Sequence, residues 1–217
     1  MGFGPVAGYA TLVGSREITD YQYRLMQLAG EMTCLRGRRG RSGLAIGADT
    51  AAYEGARWAS RFNDIGFDNY LPDAGMFNNE RFGFRTPDPE NHIWDSMSFT
   101  DTYDQARQIA YDTRKGFHGL YENGIRLHTR NVYQVLGHGL DRPSDYLICV
   151  AEPKGRSAVR GGTNTAFRLA LARGIPVRNL WHTPVQASLL KNAKSIADQL
   201  SPNNQSNLEW CLSQAVL

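Results

Sequence analysis

Gly161-Gly162-Thr163-Asn164-Thr165-Ala166, set between an apolar run that ends near Glu152 and an alternating Ala/Leu segment, decides how this chain is read. Two adjacent glycines let a backbone approach an anion closely, two threonine hydroxyls offer donors, and the segment that follows presents the free N–H groups of a helix start. The stretch reads as a phosphate cradle. Two more glycine-rich strand-to-helix junctions precede it, Val13-Gly14-Ser15-Arg16 and Ser42-Gly43-Leu44-Ala45-Ile46-Gly47-Ala48-Asp49. Turn formation alone does not account for three.

Outward from these junctions the chain alternates short apolar runs with helical patterns. Tyr9 to Val13 predicts a strand, and Thr19-Asp20 an N-cap for a helix carrying Leu25, Met26, Leu28, Ala29 and Met32. That helix fades at Gly37 and Gly40; Leu44 to Ile46 predicts a second strand and Asp49-Thr50 a second helix. Asp68 to Leu71 predicts a third strand, closed by Pro72-Asp73-Ala74-Gly75. From Met76 to Ser98 the pattern collapses into Asn, Gly, Pro and scattered aromatics, which marks an insertion without internal structure, of the kind that serves as a lid or binding element. Helices follow from Thr100-Asp101 to Arg114 and from Asn123 to Leu136, the latter capped by Gly137. Tyr146-Leu147-Ile148-Cys149-Val150 is a continuous apolar run of the type buried on both faces of a parallel sheet. After the cradle come a helix from Ala166 to Arg173, Gly174 as its cap, and a strand from Ile175 to Leu180 that Pro176 consigns to an edge. C-terminal helices span about 183–215.

The fold class implied is α/β: one Rossmann-like domain over residues 1–217, with a doubly wound, mostly parallel sheet and helices on both faces. Ligands of such folds sit outside the carboxyl ends of the strands, where all three glycine junctions fall. One shared site is the simplest expectation.

Composition narrows the class further. A chain of 217 residues with 41% apolar content buries a substantial core, and no run approaches the ~18 apolar residues of a membrane span. The start Met1-Gly2-Phe3-Gly4-Pro5 lacks the order of a secretory signal, so a cytoplasmic location is expected. Cys34, Cys149 and Cys211 lack CxxC spacing, and His92, His128, His138 and His182 lack HxxxH spacing. Neither disulfides nor a metal site is expected, and no cofactor is implied. A net charge of +3 does not announce nucleic acid. Its one concentration, Arg36, Arg38, Arg39 and Arg41, reads as the end of a helix followed by a solvated loop, with contact to phosphate as the sharper alternative.

The order Val13-Gly14-Ser15-Arg16, Ser42 to Asp49, Arg130-Asn131, Gly161-Gly162-Thr163 and Gly174-Ile175-Pro176-Val177 resembles the SLOG superfamily. Within it the chain looks most like short DprA-like members, including those of bacteriophages, where GxR, SGxAxGxD, RN and SGTxxTA elements follow in this order. The resemblance runs from about Tyr9 to about Leu180, apart from the insertion. It implies one of three functions on a shared cradle. The first is capture of a nucleotide-derived signal such as a cyclic ADP-ribose, which in a phage protein would serve anti-defence in the host cytoplasm. The second is N-glycosidic cleavage of nucleoside 5′-monophosphates, as in LOG enzymes. The third is binding of single-stranded DNA.

LOG enzymes carry a glutamate one helical turn past their glycines. Here the region reads Gly161-Gly162-Thr163-Asn164-Thr165-Ala166-Phe167-Arg168, with no carboxylate. An oxocarbenium-like transition state needs a nearby anion, which only Asp49 or Glu54, from another junction, would supply. Cleavage is therefore disfavoured. A DprA-type role asks for a basic face and further apparatus, and ranks third. The expected ligand contacts are Gly14, Ser15 and Arg16; Ser42, Gly43, Gly47 and Asp49; Arg130 and Asn131; and Gly161, Gly162, Thr163 and Asn164. Arg16 would neutralise a phosphate through a bidentate fork and Asp49 would accept from ribose hydroxyls or simply cap its helix. Arg130 and Asn131 match the family pattern, although such a pair on a helix is commonly a surface pair or a cap. The expected partners are a nucleotide-derived small molecule and a second copy of the chain.

Overall fold

The computed structural model describes residues 6–60, 65–71, 93–95, 101–114, 116–199 and 212–213. Six parallel strands form one sheet: β1 (Gly8–Gly14), β2 (Arg38–Ser42), β3 (Phe67–Leu71), β4 (Ile93–Asp95), β5 (Tyr146–Val150) and β6 (Val177–Asn179). Their order is β4-β3-β2-β1-β5-β6, with every pairing parallel. The chain builds outward from β1 in one direction, then returns to its other side with β5. Between β1 and β5 the order reverses, and such a switch point opens a crevice at the carboxyl ends of the strands.

Helices cover both faces because strand residues alternate. On one face Leu12, Phe67, Ile148 and Val150 meet α1 (Asp20–Leu35), α2 (Ala48–Ser60) and α6 (Thr183–Ala197). On the other, Val13, Tyr70, Leu147 and Cys149 meet α3 (Tyr103–Thr113), α4 (Glu122–Leu136) and α5 (Asn164–Ala172). Helix α1 starts where the sequence says it should. The Thr19 hydroxyl accepts from the Gln22 N–H while the Gln22 side chain accepts from the Thr19 N–H, a complete capping box. Helix α4 ends at Gly137, whose φ of 80° suits a residue without Cβ. Strand β6 lies at the sheet edge, as Pro176 requires.

Three expectations need correction. The second strand is Arg38–Ser42, upstream of Leu44 to Ile46, which belongs to the β2–α2 junction. The arginine cluster is therefore no solvated loop. Only Arg36 caps α1 and is exposed. Arg38 pairs with Asp145 at 3.0 Å and Arg39 with Asp68 at 2.7 Å. Arg41, 2% exposed, stacks 3.6 Å above the Tyr9 ring and donates to the Arg142 carbonyl at 2.6 Å. The strand carries no aliphatic residue; the backbone ladders to β1 and β3 hold it, and internal partners absorb its charge. The insertion expected to lack structure contains β4, in register Asn69 to Ile93 with β3. Its remaining residues, 76–92 and 96–98, lie outside the described residues, as do Pro72 to Gly75 and most of the final helix.

Helices α1 and α2 approach so closely that glycine is required on each. A methyl group at Gly30 would sit 1.9 Å from the Ala52 carbonyl oxygen, and one at Gly55 would sit 1.8 Å from that of Gln27. Gly30→Ala should therefore lower stability by about 1–3 kcal/mol or more in urea denaturation, despite its better helix propensity. An unchanged midpoint would show that the helices can separate at no cost.

Candidate functional site

The three junctions converge. Their walls enclose a cavity of about 460 Å³ between the carboxyl ends of β1, β2 and β5 and the middle of α4, from Leu127 to Gln134. Gly14, Ser15 and Arg16 come from the first junction, Ala45 and Asp49 from the second, and Arg160, Gly161, Gly162 and Thr163 from the third. Backbone bonds hold the first loop to its neighbours: the Ser15 N–H donates to the Val150 carbonyl at 2.8 Å, and the Ala48 N–H to the Ser15 carbonyl at 3.1 Å.

Side chains complete the join. Asp49, 3% exposed, accepts from the Gly14 N–H at 3.0 Å and lies 4.0 Å from Arg130. Arg130 donates to the Gly43 carbonyl at 3.0 Å. Asn131 donates to the Gly162 carbonyl at 2.8 Å. Two consecutive residues of α4 thus grip the second and third junctions, and Asp49 ties the first to the second. Arg130 and Asn131, 9% and 5% exposed, are buried in mid-helix; the surface-pair or cap reading is incorrect for them. Burial raises the Asp49 carboxyl above the ordinary carboxylate range, opposed by the Arg130 charge and by N–H groups of Gly14, Ala45 and Gly43. Burial likewise lowers Arg130, opposed by Asp49.

Several expected contacts stand behind the wall. Ser42 Oγ is fully buried and donates to the Leu12 carbonyl at 2.5 Å. Gly43 leaves room for Arg130, since a methyl group there would lie 2.5 Å from its guanidinium carbon. Gly47 lets the start of α2 lie against the Ser15 and Arg16 carbonyls. The Asn164 side chain accepts from the Val159 N–H at 3.0 Å and so bonds back to its own loop. Glu54 accepts from the Tyr23 hydroxyl and the Gln27 amide, both at 2.8 Å, at the α1–α2 contact rather than in the cavity. Of the two threonines, Thr163 lines the cavity, while Thr165 turns inward to the ring of His128.

Facing the open side are the groups an anion needs. Gly161 and Gly162 are exposed ahead of α5, and among the described residues the N–H groups of Gly161, Gly162 and Thr163 have no protein acceptor. Arg16 is exposed at the rim. Arg160, which sequence reasoning did not single out, also lines the cavity and pairs with Glu152 at 3.0 Å. A Pro153–Val159 bridge folds residues 152–160 into a small hairpin whose exposed cations are Lys154, Arg156 and Arg160. Gln134 and His128 were also missed as cavity residues. Both lie on α4 within one turn of Arg130 or Asn131, a helical spacing that would have flagged them. Among the described residues no group of three His, Cys, Asp or Glu is placed to hold a metal ion, and no helix is long and apolar enough to cross a membrane.

The fold and site define a doubly wound parallel α/β protein with a cavity at its topological switch point. No protein-family model matches the chain, and no curated protein matches it. Among solved structures it is similar to DNA processing protein A from Helicobacter pylori, described for its single-stranded DNA binding mode. Identity is 17%, over 96% of this chain and 81% of that one, with a TM-score of 0.45.

Two outcomes test this construction. Arg130→Ala strands a buried carboxylate and should cost about 3–5 kcal/mol, whereas Arg130→Met with Asp49→Asn should cost less than the sum of the single changes in a double-mutant cycle. Additive costs would mean the two groups do not interact. Burial, with Arg114 and Arg130 adding repulsion, lowers His128 to about 4 from an ordinary 6.5. The folded state thus favours the neutral ring: its contribution to stability is complete above pH 6.5 and is lost as pH falls toward 4. His128→Gln should flatten that limb of a pH–stability profile; an unaltered limb would assign it to other groups.

Proposed function

We propose that this cavity binds a phosphate-bearing nucleotide derivative. The observation that carries the reading is the convergence of the Gly161–Thr163 N–H groups with the Arg16 guanidinium on one hollow. Backbone donors at a helix start favour an anion by both geometry and dipole, and an exposed arginine adds a bidentate fork. The volume, about 460 Å³, falls in the range of small-molecule pockets.

Capture without turnover fits the carboxylates best. Asp49 is engaged by the Gly14 N–H and Arg130, and Glu54 lies at the α1–α2 contact, so neither stands free to stabilise an oxocarbenium ion. Within the SLOG resemblance, the ligand class is an NAD-derived or related signal of the cyclic ADP-ribose kind, held by a cytoplasmic, homo-oligomeric, phage-type protein. A second reading, single-stranded nucleic acid, draws on the hairpin cations Lys154, Arg156 and Arg160 beside the mouth, where they would meet neighbouring phosphates of a strand.

The deciding experiment incubates purified protein with nucleoside monophosphates, NAD and cyclic ADP-ribose isomers, and follows binding by calorimetry and turnover by chromatography. A retained, unchanged ligand is expected. Release of free base or ribose phosphate would replace capture with cleavage, and tight, strongly salt-dependent retention of an oligonucleotide alone would favour the strand reading. Arg16 makes no hydrogen bond or ion pair to a described residue, so Arg16→Ala should fold as the parent does. It should weaken a phosphate ligand by about 1.5–3 kcal/mol. Equal affinity would remove Arg16 from the site.

A further inference from the structure

One group in the cavity wall has no work within the fold. Gln134 is 0% exposed and lines the cavity, yet both its Oε1 and its Nε2 lack a hydrogen-bond partner. Buried amides are rarely left so, because a desolvated donor and acceptor without partners oppose folding. The residue is nonetheless firmly mounted. Its backbone carbonyl accepts from Thr11 Oγ1 at 2.7 Å, and that hydroxyl also contacts Ser144 Oγ at 2.9 Å. The absence of a side chain at Gly43 makes room for the amide, since a methyl group there would lie 2.3 Å from Nε2.

The surroundings set out two ends of a guest. At the rim stand the exposed cations Arg16 and Arg160 and the Gly161–Thr163 N–H groups. On the inner wall Arg130 is matched by Asp49, while Val13, Ala45 and Leu127 supply apolar surface. An anionic tail belongs at the first and a flat, neutral head at the second.

Resting on the binding reading above, we infer that Gln134 is a specificity-determining residue whose carboxamide reads the adjacent donor and acceptor of a nucleobase edge. A primary amide offers one N–H donor face and one carbonyl acceptor in a plane, the complement of such an edge. A site whose polar groups are paired only by the correct guest discriminates strongly against a guest that lacks the matching groups.

The test compares the four common nucleoside 5′-monophosphates with ribose 5-phosphate, which carries the tail and no base, by calorimetry on the parent protein and on Gln134→Met. At least one nucleotide should bind the parent tenfold or more tighter than ribose 5-phosphate. Gln134→Met should erase that margin, leave ribose 5-phosphate affinity unchanged and not lower the Tm of the free protein. A second readout needs no variant to fold: the Gln134 side-chain amide resonances of the parent should move on adding that nucleotide and stay put with ribose 5-phosphate. A margin that survives Gln134→Met, equal loss of both ligands, or an amide that ignores the base would each overturn the assignment while leaving phosphate binding intact. Absence of any binding to the parent, ribose 5-phosphate included, would instead remove the binding reading and this one with it.

Discussion

A buried guanidinium held between a carboxylate and a backbone carbonyl is the contact on which the site depends. Arg130 faces Asp49 and donates to Gly43; Asp49 accepts from Gly14; Asn131, the next residue, donates to Gly162. The first and third of the loops so joined, Gly14 to Arg16 and Arg160 to Thr163, carry no apolar side chain and are not arranged by hydrophobic burial alone. A buried ion pair contributes little net stability against its desolvation, but it penalises arrangements that would leave either charge unmatched. Here the arrangement enforced is the mutual position of three strand ends.

Helix α4 is accordingly more than a cover for the sheet. Its inward side holds Val132, Tyr133, Val135 and Leu136 in the core, with the Tyr133 ring stacked on Tyr70 at 6.0 Å between centroids. The same helix carries Leu127, His128, Arg130, Asn131 and Gln134 to the cavity. Packing thus fixes the helix, and the helix fixes the donors. The rim differs: Arg16, Gly161, Gly162 and the hairpin cations are exposed. An inner wall fixed by packing lowers the entropy cost of binding there, and the exposed rim leaves access open.

Much of this was legible in the residues, where local chemistry is strong. Thr19 with Gln22 announced the start of α1, Gly137 the end of α4, the run from Tyr146 to Val150 an interior strand, and Pro176 an edge. The failures share a cause. Strand β2 reads Arg-Arg-Gly-Arg-Ser, so no apolar period marks it; parallel neighbours and ion pairs on Arg38 and Arg39 hold it instead. Strand β4 has three residues within a stretch rich in turn formers, and only pairing with β3 reveals it. The glycine junctions were recognisable one by one, whereas the partners that unite them are distant in sequence: Arg130 reaches across 87 residues to Gly43. Ser42 and Asn164 show the converse, since a hydroxyl or amide beside a glycine turn also satisfies the local backbone, and a sequence does not say which way it faces.

The most direct measurement of the account is a two-dimensional amide spectrum of labelled protein titrated with a nucleoside 5′-monophosphate. The account predicts that the amides of Gly14 to Arg16 and of Gly161 to Thr163 move together along one binding isotherm. Movement confined to a single junction, or spread over surfaces remote from the crevice between β1 and β5, would contradict it.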